Sequence, residues 1–363
     1  MESKCKVIIV CGFLGSGKTT LIEGILKAPS LGDRKIGVIQ NEYSDQMGME
    51  GALMKDASGN DIEDFYEMPN GCICCSGKGD LINTLDTLLS KKHLDYVLVE
   101  MNGLADPSQI VQTFWVDDGL GSMVILHQTI ALVDVGSFGR KLASTKVIEA
   151  VESTKGLGSG VYFEEQASGK EYSERDLLLR QLVYADKILL NKIDLIPSST
   201  FEQTLSEVRD LITQVNPTAE LRESTYSQAD LDFLIDKSDT AIKPSPPPHT
   251  HSHDCSHSCT HIHLPDIQSI FLDFGASLFD LQQLERCLGE LLWEQPNSMG
   301  ATIMRCKGTL NANDGQSYML QGVEEVFEVK RVDGVSTNSK LLFIGRGIDR
   351  EALFKVLQSC VLV

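Results

Sequence analysis

The chain has 363 residues, 42% of them hydrophobic and 6% aromatic, and its 32 basic against 51 acidic residues give a formal charge of −19. That length suits one large α/β domain with a smaller second one, and the apolar share supplies a proper core and excludes wholesale disorder. A body this acidic repels phosphate backbones, which argues against nucleic acid as a partner, whereas one nucleotide can still be held by local backbone dipoles.

The first few residues carry neither the long apolar stretch of a signal peptide nor an Arg-rich transit pattern. No apolar run approaches the roughly 18 residues of a membrane span, so no membrane partner is expected. The expected location is cytoplasmic, with the nucleus also open to the chain. Val7-Ile8-Ile9-Val10-Cys11 is a β-branched apolar run ending at glycine, as a buried parallel strand does. A helix is predicted over 19–27, with Pro29 just past its end. Further strands are predicted over 35–40, 96–100, 129–134 and 187–191, and helices over 80–92, 108–115, 174–185 and 199–215. Strands alternating with helices make parallel βαβ units, hence a parallel sheet with helices on both faces.

Residues 144–170, rich in Gly, Ser, Lys and Glu without a strong period, read as a surface insertion. After about residue 237 the composition breaks: a stiff Pro-rich linker at 244–248 leads into a His/Cys tract through His263. Order resumes past Pro265, with strands predicted at 270–274, 301–307, 318–322, 324–329 and 340–344 and helices at 278–293 and 350–358. The expected organisation is thus a nucleotide-binding α/β domain over 1–236, a flexible linker over 237–266, and an α+β domain over 267–363.

Gly12-Phe13-Leu14-Gly15-Ser16-Gly17-Lys18-Thr19 fits the P-loop template, with a strand before it and a helix, opening through Thr20, after it. Its glycines let backbone N–H groups wrap the β-phosphate, Lys18 can reach the β- and γ-oxygens, and the Thr19 hydroxyl can ligate Mg²⁺. A chance Gly-rich turn would not carry Gly-Lys-Thr in this context. The first domain is therefore expected to be a P-loop NTPase fold. Asn191-Lys192-Ile193-Asp194 closes a parallel strand about 170 residues downstream. The Asp194 carboxylate there can accept guanine N1–H and the exocyclic amine together, a pair adenine cannot offer, which points to GTP. Glu100 ends an apolar strand, where an acid suits the outer shell of Mg²⁺ or the orientation of water. Asn41-Glu42 follows the second strand, where a switch segment would lie, although Glu42 also fits an ordinary surface position.

The ten cysteines point to a reducing compartment, where thiols bind metal more often than they pair. Cys5, Cys11, Cys287, Cys306 and Cys360 are scattered in apolar or mixed contexts, as buried structural thiols are. Cys72, Cys74 and Cys75 are too close in sequence for good disulfides among themselves, but as thiolates they offer three soft donors to Zn²⁺ with a fourth position open. Every odd position from 249 to 263 is His or Cys: His249, His251, His253, Cys255, His257, Cys259, His261 and His263. Lacking core-forming residues, this tract reads as a flexible arm that collects metal at several modest sites.

Together these residues resemble the CobW family of P-loop GTPases, over nearly the whole chain. Gly71-Cys72-Ile73-Cys74-Cys75 is similar to the family's metal-binding motif, Asn191 to Asp194 to its guanine motif, and Glu100-Met101-Asn102-Gly103 to the acid-x-x-Gly element after its Walker B strand. Arg305-Cys306-Lys307-Gly308 and Leu342-Phe343-Ile344-Gly345 resemble landmarks of its second domain. Within the family, Gly103-Leu104-Ala105-Asp106-Pro107 and Phe114-Trp115-Val116-Asp117 resemble the eukaryotic zinc-regulated GTPase metalloprotein activators. The resemblance implies zinc delivery to client metalloenzymes, notably a type 1 methionine aminopeptidase. Two departures are visible: Met101 and Asn102 stand where members often have Thr or Ser, and the first strand begins near Met1, without the group's acidic Cys-Pro docking extension.

The expected function is a GTP-hydrolysing zinc chaperone using GTP, Mg²⁺ and Zn²⁺, in which nucleotide state and metal state are coupled. Two other readings fit part of the chain. One is a zinc buffer with little GTP turnover; the other is an ATP-dependent cofactor-assembly factor, which Asn191 and Asp194 argue against.

Overall fold

Unbroken Val, Ile and Leu runs can be buried on both faces only inside a sheet covered on both sides, and the N-terminal half is built on such runs. In the computed structural model, residues 4–32, 34–40, 65–67, 78–91, 93–116, 123–148, 172–235, 267–293, 296–332, 334 and 336–362 are described. They group into two compact units, Met1–Ser206 with Glu220–Ser238, and Glu207–Ala219 with Asp239–Val363. Cys72, Cys74 and Cys75, Glu42, and the tract from His249 to His263 lie outside the described residues.

The strands of the first unit are β1 (Cys5–Gly12), β2 (Ile36–Gln40), β3 (Phe65–Glu67), β4 (Tyr96–Glu100), β5 (Val124–Asp134), β6 (Val147–Ile148), β7 (Tyr172–Ser173), β8 (Lys187–Asn191) and β9 (Glu220–Glu223). Seven of them form one sheet in the order β3-β2-β4-β1-β5-β8-β9, and every neighbouring pair is parallel. All five residues of β2, of β4 and of β8 are buried, as their apolar sequences require. The helices are α1 (Lys18–Leu26), α2 (Lys78–Lys91), α3 (Pro107–Val116), α4 (Val135–Leu142), α5 (Glu174–Tyr184), α6 (Phe201–Val215), of which Glu207–Val215 falls in the second unit, and α7 (Leu231–Ile235). Between β1 and β5 the sheet changes the direction in which it is wound, the place where open α/β sheets bind ligands at their carboxyl edge. The ends of β1, β4, β5 and β8 carry Gly12, Glu100, Asp134 and Asn191 to that edge.

The helix α4 was not expected, because Gly136 and Gly139 weaken its pattern. It forms because Asp134 caps it, accepting from the Ser137 N–H, and because Val135, Phe138 and Leu142 are buried. The five-residue helix α7 is too short to show a period. Its final carbonyls are satisfied by side chains on neighbouring strands: Lys187 donates to Phe233, Gln128 to Leu234, and the His127 ring meets Ile235. Around the expected insertion, β6 and β7 pair antiparallel, Val147 with Ser173 and Ile148 with Tyr172; residues 149–171 lie outside the described ones.

The second unit contains β10 (Gln268–Asp273), β11 (Leu278–Phe279), β12 (Thr302–Ala312), β13 (Ser317–Val323), β14 (Val326–Val332) and β15 (Lys340–Arg346), with α8 (Leu281–Leu292) and α9 (Arg350–Gln358). The order β10-β15-β12-β13-β14 is antiparallel throughout, and β11 pairs parallel to β12. Leu284, Leu288, Leu291, Leu353 and Leu357 share one core with Ile303, Leu310 and Phe343 of the sheet. The helix expected from 278 begins only at Leu281. Asp280 caps it through the Gln283 N–H, while Phe279 is fully buried opposite Ala312.

Candidate functional site

The P-loop connects β1 to α1 and folds back over its own lysine. Lys18, 8% exposed, donates from Nζ to the carbonyls of Gly12 at 3.1 Å and Phe13 at 3.4 Å. Gly17 has φ +105°, and a Cβ there would lie 2.3 Å from Ser227 Oγ and 2.6 Å from Asn191 Nδ2. No side chain fits at that position. The space that it leaves is used for a tether, because Asn191 Nδ2 donates to the Ser16 carbonyl and to Ser227 Oγ, both at 2.8 Å. Asn191 Oδ1 accepts from the Ser227 N–H at 2.9 Å, and Ser227 Oγ donates to the Gly17 carbonyl at 2.9 Å. Ser16, Asn191 and Ser227 are all buried, where each hydrogen bond is worth most.

Thr19, in the first turn of α1, donates from Oγ1 to Glu100 Oε1 at 2.8 Å. Glu100, 4% exposed, ends β4 in register with Val10 of β1. A hydroxyl and a carboxylate meeting beside a phosphate loop form a hard oxygen pair of the kind Mg²⁺ takes. The exposed Thr20 follows in α1.

On the opposite side of the loop, Lys192 adopts φ +63° and donates from Nζ to Asp134 Oδ2 at 3.1 Å. Asp194 lies in the short 3-10 turn Ile193–Leu195 and is exposed. The Ile193 N–H donates to the Ser224 carbonyl, which sets this turn beside the segment carrying Ser227. In that segment Tyr226 and Ser227 have φ of 51° and 56°, leaving Tyr226 72% exposed while Ser227 turns inward at 3%. Lys141 of α4 places its ammonium 4.3 Å from the Phe13 ring centre, and burial pulls its pKa down, opposed by the charge of Asp134.

Behind the loop, the segment after β4 is fastened to α5. Gln181 Nε2 donates to the carbonyls of Gly103 at 3.2 Å and Ala105 at 3.4 Å. Arg180 donates to Asp106 at 2.7 Å and to Ser108 at 3.2 Å, and Tyr172 reaches the same Asp106 oxygen at 3.4 Å. Gly103 touches the P-loop: a Cβ there would lie 2.5 Å from the Leu14 backbone nitrogen.

The structure thus brings Gly12 to Thr19, Glu100 and Asn191 together, sets Lys192 next to Asp134, and leaves Asp194 at the rim. Sequence reasoning did not single out Ser227, Asp134, Lys141, Arg180 or Gln181. Ser227 sits in an ordinary-looking Ser/Thr turn, and the others are single polar residues on helices or strand ends. Among the described residues, no three His, Cys, Asp or Glu side chains converge as a metal site. Burial pushes the thiols of Cys5, Cys11 and Cys306 up to about 12, as befits buried structural thiols. No helix among the described residues is long and apolar enough to cross a membrane.

Comparison with known proteins gives matches over most of the chain. Residues 6–222 match the family described as CobW/HypB/UreG, nucleotide-binding domain, and residues 267–361 match the cobalamin synthesis protein CobW C-terminal domain. Zinc-regulated GTPase metalloprotein activator 1 of Schizosaccharomyces pombe is 29% identical over 383 residues, covering 96% of this chain and 84% of that protein. The zinc chaperone YjiA of Escherichia coli is 25% identical over 359 residues, 96% of each. The crystal structure of Zn(II)-bound YjiA GTPase from E. coli matches over 99% of both chains with a TM-score of 0.63 at 23% identity, which shows a shared fold.

Proposed function

The chain belongs to the CobW/HypB/UreG family of P-loop GTPases and carries the CobW C-terminal domain, and from that premise we propose that it holds Zn²⁺ on Cys72, Cys74 and Cys75 and passes it to client zinc metalloproteins as GTP is hydrolysed. The observation that carries the coupling is a register. Glu67, the last residue of β3, is level with Gln40, and Gln40 is level with Glu100. Two strand spacings, about 10 Å, separate Glu67 from the acid of the phosphate site. The cysteines begin five residues beyond Glu67, and α2 starts three residues after Cys75. Both flanks of the cysteine segment, β3 and α2, thus belong to the same unit as Glu100, with β3 in its sheet, and this supports the coupling.

In this reading the N–H groups of the loop and the start of α1 receive the phosphates. Lys18 exchanges the Gly12 and Phe13 carbonyls for phosphate oxygens, and Asn191 holds the loop in shape through Ser16 and Ser227. Asp194 reads the guanine edge, while Thr19 and Glu100 hold Mg²⁺. When bound, Mg²⁺ neutralises charge on the phosphate oxygens. The cysteines hold the cargo as thiolates, and the tract from His249 to His263 raises metal concentration nearby. If GTP alters zinc affinity, zinc must alter GTP affinity by the same factor. The relatives' names, a zinc-regulated GTPase metalloprotein activator and a zinc chaperone, support the metal and client parts of the reading, with a type 1 methionine aminopeptidase as the client that the sequence resemblance suggests.

The test is GTP turnover by the reduced chain with and without stoichiometric Zn²⁺, beside a variant with Cys72, Cys74 and Cys75 all changed to Ser. A zinc response in the parent that vanishes in the variant supports the coupling. Turnover indifferent to zinc in both proteins rejects it and leaves a GTPase whose cysteines act as a buffer.

A further inference from the structure

Two of the scattered cysteines meet in the second unit. Cys360 Sγ lies 3.2 Å from Cys287 Sγ, a thiol hydrogen bond between residues 73 positions apart. Backbone bonds, not side-chain chance, enforce the approach. The Asp280 N–H donates to the Cys360 carbonyl at 2.9 Å and the Leu362 N–H to the Leu278 carbonyl at 2.8 Å. Phe279 and Val361 bridge between these two bonds. The chain end is thus stitched to the residues that enter α8, and Cys287 lies two turns into that helix. Cys360 is 1% exposed, whereas Cys287 is half-buried and open to solvent on one side.

We propose that Cys287 and Cys360 form a dithiol modification site, closed into an intrachain disulfide by a small disulfide oxidant of the glutathione class. Closure shortens the sulfur separation from 3.2 Å to a bond of about 2.0 Å. The Cys287 thiolate attacks one sulfur of the oxidant, forming a mixed disulfide and expelling one oxidant thiolate. Cys360 then loses its proton and attacks the Cys287 sulfur, expelling the second oxidant thiolate. Two protein thiols lose two electrons and two protons; the oxidant's disulfide gains them and leaves as two thiols. Burial, with the hydrogen bond and charge of Cys287 adding to it, pushes the Cys360 thiol up to about 12, so Cys287 is the entry point and Cys360 the resolving thiol. The crosslink would close most of the second unit's sheet, β12 to β15, inside one loop. Long closed loops constrain the unfolded chain most.

The test equilibrates the full chain with glutathione buffers from fully reduced to fully oxidised, then traps free thiols by alkylation and maps tryptic peptides. Cleavage after Arg286 and Lys355 places Cys287 in the peptide 287–305 and Cys360 in 356–363. The expected result is these two peptides joined, two hydrogens lighter, with a melting temperature several degrees above that of the reduced chain. Cys287→Ser and Cys360→Ala each abolish both changes, and Cys360→Ala accumulates a glutathione adduct on Cys287. Cys287 trapped in the parent only as its adduct, joined to another cysteine, or never oxidised in the folded chain would overturn the proposal. So would an equal rise in melting temperature in Cys287→Ser.

Discussion

Thr19 Oγ1 donates to Glu100 Oε1 at 2.8 Å, joining the first turn of α1 to the carboxyl end of β4. The Thr19 hydroxyl and the strand-end acid are therefore in place relative to each other, and Glu100 can be altered in charge with little change of shape. Glu100→Gln keeps an oxygen for Thr19 and removes the charge. GTP turnover is expected to fall by about 10²-fold while GDP affinity changes little. Single-turnover kinetics beside equilibrium nucleotide titration separates the two, and an equal loss in both would assign Glu100 to ground-state binding.

Asp194 is exposed at the rim, so Asp194→Asn should leave folding untouched. An amide presents one donor and one acceptor, which mismatches guanine's paired donors but suits xanthine, whose carbonyl replaces the amine. GTP affinity is expected to drop by about 10²-fold or more while xanthosine triphosphate gains. Competition binding with both nucleotides decides the matter.

Gly103→Ala drives a methyl to within 2.5 Å of the Leu14 backbone nitrogen, so either the turn or the P-loop must move. The expected cost is about 1–3 kcal/mol of stability together with weaker nucleotide binding. Gly24→Ala in α1 meets nothing within 4 Å and serves as the control, neutral or slightly stabilising in the same urea titration.

Arg180 and Asp106 pair at 2.7 Å with side chains only 13% and 6% exposed. Arg180→Met leaves the buried Asp106 carboxylate without its cation, with only the Tyr172 hydroxyl and the Ser108 N–H donating to it, and a loss of up to about 3 kcal/mol is expected. Asp106→Asn in the Arg180→Met background should recover part of it, which a double-mutant cycle measures.

Stability should also fall at alkaline pH. Burial raises the thiols of Cys11 and Cys306 from 9.0 to about 12, so above pH 9 the unfolded chain releases protons that the folded chain keeps. Their contribution is full below pH 9 and is lost as pH rises towards 12. At pH 10 each thiol should lower the folding constant by about tenfold. Urea unfolding at pH 8 and pH 10 checks this, and Cys306→Ala should flatten part of the slope.

The central sheet was legible in the sequence because its strands are buried on both faces and therefore spelled in continuous apolar runs. β4 and β8 begin and end where Tyr96, Glu100, Lys187 and Asn191 place them. The convergence of the P-loop, Glu100 and Asn191 was legible because nucleotide motifs place fixed residue types at the ends of parallel strands. What was not legible depends on three-dimensional return of the chain. Ser227 acquires its role only when the turn after β9 comes back to Gly17, and Arg180 only when α5 lies along Asp106. The same holds for α7, whose last carbonyls find partners only in the side chains of Lys187, Gln128 and His127 on neighbouring strands.

The two-residue ladder of β6 and β7 has a thermodynamic corollary. Because Val147–Ile148 and Tyr172–Ser173 hold each other directly, the ends of the stretch between them are fixed independently of how many residues it contains. Each doubling of such a closed stretch costs only about 0.6 kcal/mol of closure entropy. Changes of length between the two strands are therefore expected to cost the sheet carrying the P-loop little, as long as this ladder holds their ends.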